Sequence, residues 1–113
     1  MAEMQVIEVE GVTVIAVTGE MTGSGIAPIE RAFVMTVAAA ERLVVDLSAV
    51  TMISTPGITL LVSADRQLRR RHGRFVLCGL AGRVEQVLLE RCRLDAVFTI
   101  RPSRVEAIAA ARL

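Results

Sequence analysis

Residues 43–61, LVVDLSAVTMISTPGITLL, decide how this chain is read. Leu43 to Leu47 is an apolar, β-branched run broken only by Asp46, the pattern of a short strand. A small polar knot follows at Ser54-Thr55-Pro56-Gly57, and a second apolar run starts at Ile58. In that run Ile58, Leu61, Ala64 and Leu68 repeat at helical spacing, with Thr59, Ser63, Arg66 and Arg70 opposite. The spacing predicts a helix that Gly73 stops. Proline is favoured at the first helical position, where an N–H would be unpaired anyway, which places Pro56 there and Thr55 at the N-cap. A threonine hydroxyl at an N-cap accepts from a first-turn N–H and is worth about 0.5–2 kcal/mol relative to alanine. Gly57 keeps the first turn bare, open to the approach of another surface. In an α/β sheet such a junction lies at the carboxyl end of a strand, where ligands and partners dock.

The flanking segments extend the pattern. Residues 4–20, MQVIEVEGVTVIAVTGE, read as a hairpin turning at Gly11. Its second arm is apolar on both faces, Val12 and Val14 on one and Ile15 and Val17 on the other, as in a central strand. Thr22 to Gly25 reads as a loop. Ile29, Phe33 and Val37 mark the buried stripe of a helix from about Pro28 to Ala40. RFVLCGL, residues 74–80, is a strand, and residues 81–94 a helix with Val84, Val87, Leu88 and Cys92 on one face. AVFTI, residues 96–100, is the last strand, and a helix opening at Pro102-Ser103 closes the chain. Strands alternating with helices imply right-handed crossovers. The expected architecture is α/β: a mostly parallel five-stranded sheet with its first strand antiparallel, and about four helices. Residues 1–113 read as one domain, with no repeat, linker or low-complexity segment.

Composition narrows the function classes. Apolar residues make up 53% and charged residues 22%, which excludes a disordered chain. Aromatic residues are 3%, too few for a platform that stacks single-stranded bases. The net charge is +1, and no nucleic-acid motif occurs, so the basic run RQLRRRHGR reads as a solvated face rather than a DNA contact. In it, Asp65 is spaced to pair with Arg69. No apolar run is long enough to span a membrane, and MAEMQVIEVE carries no leader pattern, so the expected location is cytoplasmic. Cys78 and Cys92 lack companions at metal spacing and read as buried, reduced thiols, with a redox disulfide as the alternative. No metal, cofactor or catalytic residue is expected. The only histidine, His72, sits at the far end of a helix of about 25 Å from Ser54 and Thr55, which rules out a catalytic triad within one chain. Gly23-Ser24-Gly25 is too short for a phosphate-binding fingerprint.

Gly19-Glu20-Met21 before a helix, then DLSAVTMISTPGI at residues 46–58, then LCGL at residues 77–80 together resemble the STAS family, in particular bacterial anti-sigma factor antagonists. The resemblance covers nearly the whole chain. The family hallmark is D-L-S-x-V-x-F-x-D-S-S-G-L, whose first serine of S-S-G is phosphorylated. Asp46, Leu47, Ser48 and Val50 match its start, and Gly57 and Ile58 its end. Thr55 takes the place of the phosphorylated serine, and Pro56 replaces the second serine. Ser54 and Thr22 stand where the family has aspartates, which removes negative charge from both flanks. The resemblance implies Thr55 as phosphoacceptor, with Ser54 as second candidate.

It also implies a partner-switching cycle. The unmodified protein binds an anti-sigma factor that is a serine kinase of the GHKL type, releasing a sigma factor. Phosphorylation ends the binding, and a PP2C-type phosphatase resets it. A phosphate at a helix N-terminus is tolerated by the fold yet sits amid the docking surface. That surface is expected at Thr22, Gly23, Ser24, Ser54, Thr55, Pro56, Gly57, Thr59 and Ser63, on a monomer or weak dimer that is not an enzyme. Two other readings keep the same fold: an accessory subunit of a lipid ABC transporter, or a scaffold subunit of a stress complex.

Overall fold

The structure, a computed structural model, describes residues 1–113. Five strands form one sheet in the order β1-β2-β3-β4-β5: β1 Glu3–Val9, β2 Val12–Met21, β3 Arg42–Ile53, β4 Arg74–Cys78 and β5 Thr99–Arg101. β1 and β2 are antiparallel and every other neighbouring pair is parallel. The hairpin turns at Glu10-Gly11, both with positive φ (51° and 82°), as a two-residue turn matched to strand twist requires. The helices are α1 Gly23–Ile26, α2 Glu30–Ala39, α3 Thr55–Arg70, α4 Gly82–Glu85 and α5 Arg104–Ala111. α4 runs on as a π-helical segment, Gln86–Arg91. No helix is long and apolar enough to cross a membrane.

The central strands are apolar on both faces because both faces are covered. Ile15, Val17, Leu43, Val45, Leu47 and Leu77 pack with Phe33 and Val37 of α2 and Leu61, Ala64 and Leu68 of α3. On the reverse face Val12, Val14, Val44, Val76 and Cys78 pack with Ala107 and Ala111 of α5. α2 and α3 thus share the larger layer, and α5 covers the smaller one.

Several element boundaries differ from expectation for identifiable reasons. β3 does not stop at Leu47. It continues to Ile53 because the ten-residue β2 pairs with it to Met21↔Ile53, with register shifts at Ala16/Thr18 and Gly19/Glu20. β4 reaches only to Asp46↔Cys78, so the far half of β3 projects past it and breaks strict alternation. The last strand is shorter and later than Ala96 to Ile100: Leu94–Ala96 is a 3-10 turn, and Phe98 turns inward to meet Phe75 at 5.8 Å between ring centroids. α2 begins at Glu30, with Ile29 as its cap, and the Thr22–Gly25 segment holds a helical turn rather than open loop. Cys92 is exposed, not buried with Cys78: the π-helical segment's wider turn carries it off the face of Val84 and Leu88. At the end of α3 the left-handed residue is His72 (φ 60°) rather than Gly73. Gly73 donates to the Leu68 carbonyl at 2.7 Å, and a side chain there would strike Glu41 and Leu68.

The basic run resolves into structural pins. Arg71 donates to the carbonyls of Val37, Ala38 and Ala40, closing the end of α2. Arg69 holds Asp65 at 2.8 Å, as its spacing predicts, and also reaches the Val97 carbonyl. Arg66 and Arg70 remain on the exposed face of α3.

Candidate functional site: the start of α3

The knot sits where the projecting ends of β2 and β3 meet α3. Ser54, extended (φ −135°, ψ −177°), is the N-cap, and Thr55 is the first helical residue. This corrects the expected assignment by one position. One residue further into the first turn the proline also meets no intrahelical carbonyl that needs its N–H. The Ser54 N–H donates to the Met21 carbonyl at 3.1 Å, and its own carbonyl accepts from Ile58 at 3.0 Å. Its side chain makes no capping bond, and the first turn holds no acidic residue. The positive end of a sixteen-residue helix is therefore left without a neutralising group.

Gly57 is buried, and what approaches it is the chain itself. A β-carbon there would collide with the Met21 carbonyl and lie within 2.9 Å of the Ile53 side chain. The glycine thus seats α3 on the ends of β2 and β3, rather than baring the turn to an outside surface. Gly25 plays the same part for α1, whose first turn packs on the Glu20 carbonyl. Gly23 in turn lies beside the Pro56 ring, 3.8 Å from where its β-carbon would be.

The structure therefore brings Gly23 against the Ser54–Pro56 corner, with Thr22 half-buried and Ser24 exposed on either side of it. Thr55 and Pro56 are exposed and Ser54 half-buried. Thr55, Thr59 and Ser63 recur every fourth residue along one exposed face of α3. Thr59 donates back to the Thr55 carbonyl at 2.9 Å, and Ser63 accepts from Gln67 at 3.2 Å, so only the Thr55 end of the row carries the helix's positive end. Glu20, the nearest acidic residue along β2, turns to the terminal amine of Met1 at 3.4 Å. Nowhere does the chain gather three metal-ligating His, Cys, Asp or Glu residues.

A second polar cluster escaped the sequence reading. Asp46 is buried at the end of β4's pairing with β3, its Oδ1 accepting from the Ser48 N–H and its Oδ2 from Arg104 of α5, both at 2.9 Å. Burial alone would raise its pKa; the bonds from Ser48 and Arg104 outweigh that and hold it below the usual carboxylate range. Gly79 (φ 75°) passes directly over Asp46 and Ser48, leaving no room for a β-carbon. The signal was present as one acid inside an apolar strand, but its partner lies 58 residues away.

The matched motif residues thus occupy one connected region, from the Asp46 anchor through β3 to the exposed Thr55, and a family model of the STAS domain matches residues 3–107. The chain belongs to the STAS domain family. A solved anti-sigma factor antagonist from Mycobacterium paratuberculosis is similar to this STAS domain at 29% identity, covering 100% of this chain and 96% of the other, with a TM-score of 0.85. An anti-sigma factor antagonist (STAS) domain protein from Planctomyces limnophilus shares the fold at 22% identity, 97% and 98% coverage and a TM-score of 0.86. The Bacillus cell fate determinant SpoIIAA in its phosphorylated form shares it at 16% identity, 96% and 98% coverage and a TM-score of 0.70. A search of curated proteins finds no match.

Proposed function

We propose that this STAS domain is an anti-sigma factor antagonist acting in the cytoplasm as a single unit of residues 1–113. In the unmodified state it binds an anti-sigma factor of the GHKL serine-kinase type and so releases a sigma factor. Phosphorylation of Thr55 ends the binding, and a PP2C-type phosphatase restores it. The observation that carries this reading is the Thr55 hydroxyl, exposed on the first turn of an uncapped helix at the motif's phosphoacceptor position.

The chemistry of the corner supports the role. A phosphate on Thr55 brings nearly two negative charges to a helix end that favours them by about 0.3–1 kcal/mol. The fold would tolerate it, while a partner seated on Thr22–Ser24, Ser54–Pro56, Thr59 and Ser63 would meet unpaired charge. The hydroxyls at Ser54 and Thr22 leave that phosphate without acidic neighbours to repel it. Gly57 contributes by seating the helix, and Ser54, half-buried on the strand side, is the less accessible hydroxyl.

The test is incubation with the anti-sigma kinase from the same genome and ATP, followed by peptide mapping and binding measurements. One phosphate on Thr55 is expected. Thr55→Ala should stay bound in the presence of ATP, and Thr55→Glu should bind weakly without it. If both variants bind as the wild type does in both conditions, the corner is not the switch.

A further inference from the structure

The two edges of the sheet are unequal. β5 offers three residues, whereas β1 offers seven, paired with β2 in unbroken register from Glu3↔Thr18 to Val9↔Val12. A free strand edge is a template for another strand, and natural proteins blunt it with proline, charged side chains, a bulge or brevity. β1 has no proline or bulge and is not short; its only charges are Glu3 at its start and Glu8 near its end. The Glu8 carboxylate is turned toward its own neighbour, accepting from Thr13 of β2 at 2.7 Å.

The register fixes which groups face outward. Val9↔Val12 closes the two-residue turn as a hydrogen-bonded pair, so Ile7, Gln5 and Glu3 also bond to β2. The N–H and C=O groups of Glu8, Val6 and Met4 then point away from the sheet. Val6 lies at their centre, 44% exposed. On its face of the sheet it lines a groove of about 330 Å³ with Met35, Thr36 and Ala39 of α2, and Met35 is 61% exposed.

We infer that β1 pairs antiparallel with β1 of a second copy of this chain, about a two-fold axis at Val6, continuing the sheet across both copies. The occupant follows from self-complementarity. Centred on Val6, the pairing sets Met4 opposite Glu8, Gln5 opposite Ile7 and Glu3 opposite Val9, so no like charges face each other. The same axis brings the two Val6–Met35 grooves together, so that each covers the other. The antiparallel arrangement sends the two Thr55 corners to opposite ends of the pair.

Sedimentation velocity over a concentration series tests this. The wild type should shift from monomer to dimer. Val6→Pro deletes an N–H that β2 does not use, a position at which an edge strand accepts proline. It should raise the dissociation constant about tenfold, as expected for losing the two symmetric bonds at the axis. In a Cys92→Ser background, Val6→Cys should oxidise to a covalent dimer far faster than Ile7→Cys, because only residue 6 meets its own copy within disulfide reach. A wild type that stays monomeric at the highest soluble concentration overturns the inference. So does a dimer indifferent to a folded Val6→Pro variant, or equal cross-linking at positions 6 and 7.

Discussion

Arg104 of α5 and Asp46 of β3 are joined through Nε and Nη2 at 2.9 Å, across the smaller core layer. The pair fastens the last helix to the strand that leads into the Thr55 corner. Asp46→Asn removes the charge from both this contact and the Ser48 N–H bond. Charge-assisted bonds are worth about 1.5–3 kcal/mol, and the variant should lose about that much in urea unfolding at pH 7. The same carboxylate gives the acid response its sign. Its folded pKa lies below the unfolded value, so its contribution is complete above the unfolded value of about 3.8 and is lost as pH falls through the folded one. Asp46→Asn should flatten this part of the stability profile.

Asp65 responds in the opposite sense. Burial raises its pKa, and the Arg69 guanidinium only partly offsets that. A carboxyl whose folded pKa is raised costs stability above that pKa, and the cost is relieved as pH falls through it. Arg69→Gln removes the offsetting charge. The variant should be less stable than the wild type at pH 7, and the gap should narrow on mild acidification, measured as Tm across pH.

Gly57→Ala should be among the costliest single-carbon changes in the chain. The added carbon meets the Met21 carbonyl and the Ile53 side chain, and overpacking of this kind costs about 1–3 kcal/mol. Thermal unfolding gives the cost, and backbone amide shifts of Ser54, Thr55, residue 57 and Ile58 report whether the start of α3 has moved.

Ser54→Asp places a carboxylate at an N-cap that has no side-chain bond and a first turn that has no acid. It should stabilise the fold by about 0.3–1 kcal/mol, more at low salt. Equilibrium urea unfolding at two salt concentrations checks both the size and the screening.

The two thiols should separate cleanly. Cys92 is exposed, while Cys78 is buried with its pKa pushed up to about 12 by burial and by the Asp46 charge, against the pull of Arg104. The native protein should therefore consume one equivalent of a thiol reagent quickly, and the second only on unfolding.

The mostly parallel sheet and its core were legible because the aliphatic runs on β2, β3 and β4 read as strands alternating with helices, that of β2 as apolar on both faces. Ile29, Phe33 and Val37 likewise mark α2's buried stripe. What was not legible depends on contacts distant in sequence. The full length of β3 is set by β2's reach, and the role of Asp46 by Arg104. At the corner, Thr55 was legible as an exposed hydroxyl at a helix start. The one-residue shift of the cap, and Gly57 facing inward, come from the seating of α3 on Met21, which no local pattern encodes.

That seating constrains how the corner can work. Backbone on both sides of Thr55 is packed against the sheet ends, by the Ser54–Met21 bond before it and by the close fit of Gly57 after it. A side chain on so stiff a mount has little slack through which to relay a shape change into the sheet. On the proposed switch, charge arriving there would be felt where it lands, as a change in what the surface will accept, and the phosphorylated and unmodified domain would share one backbone.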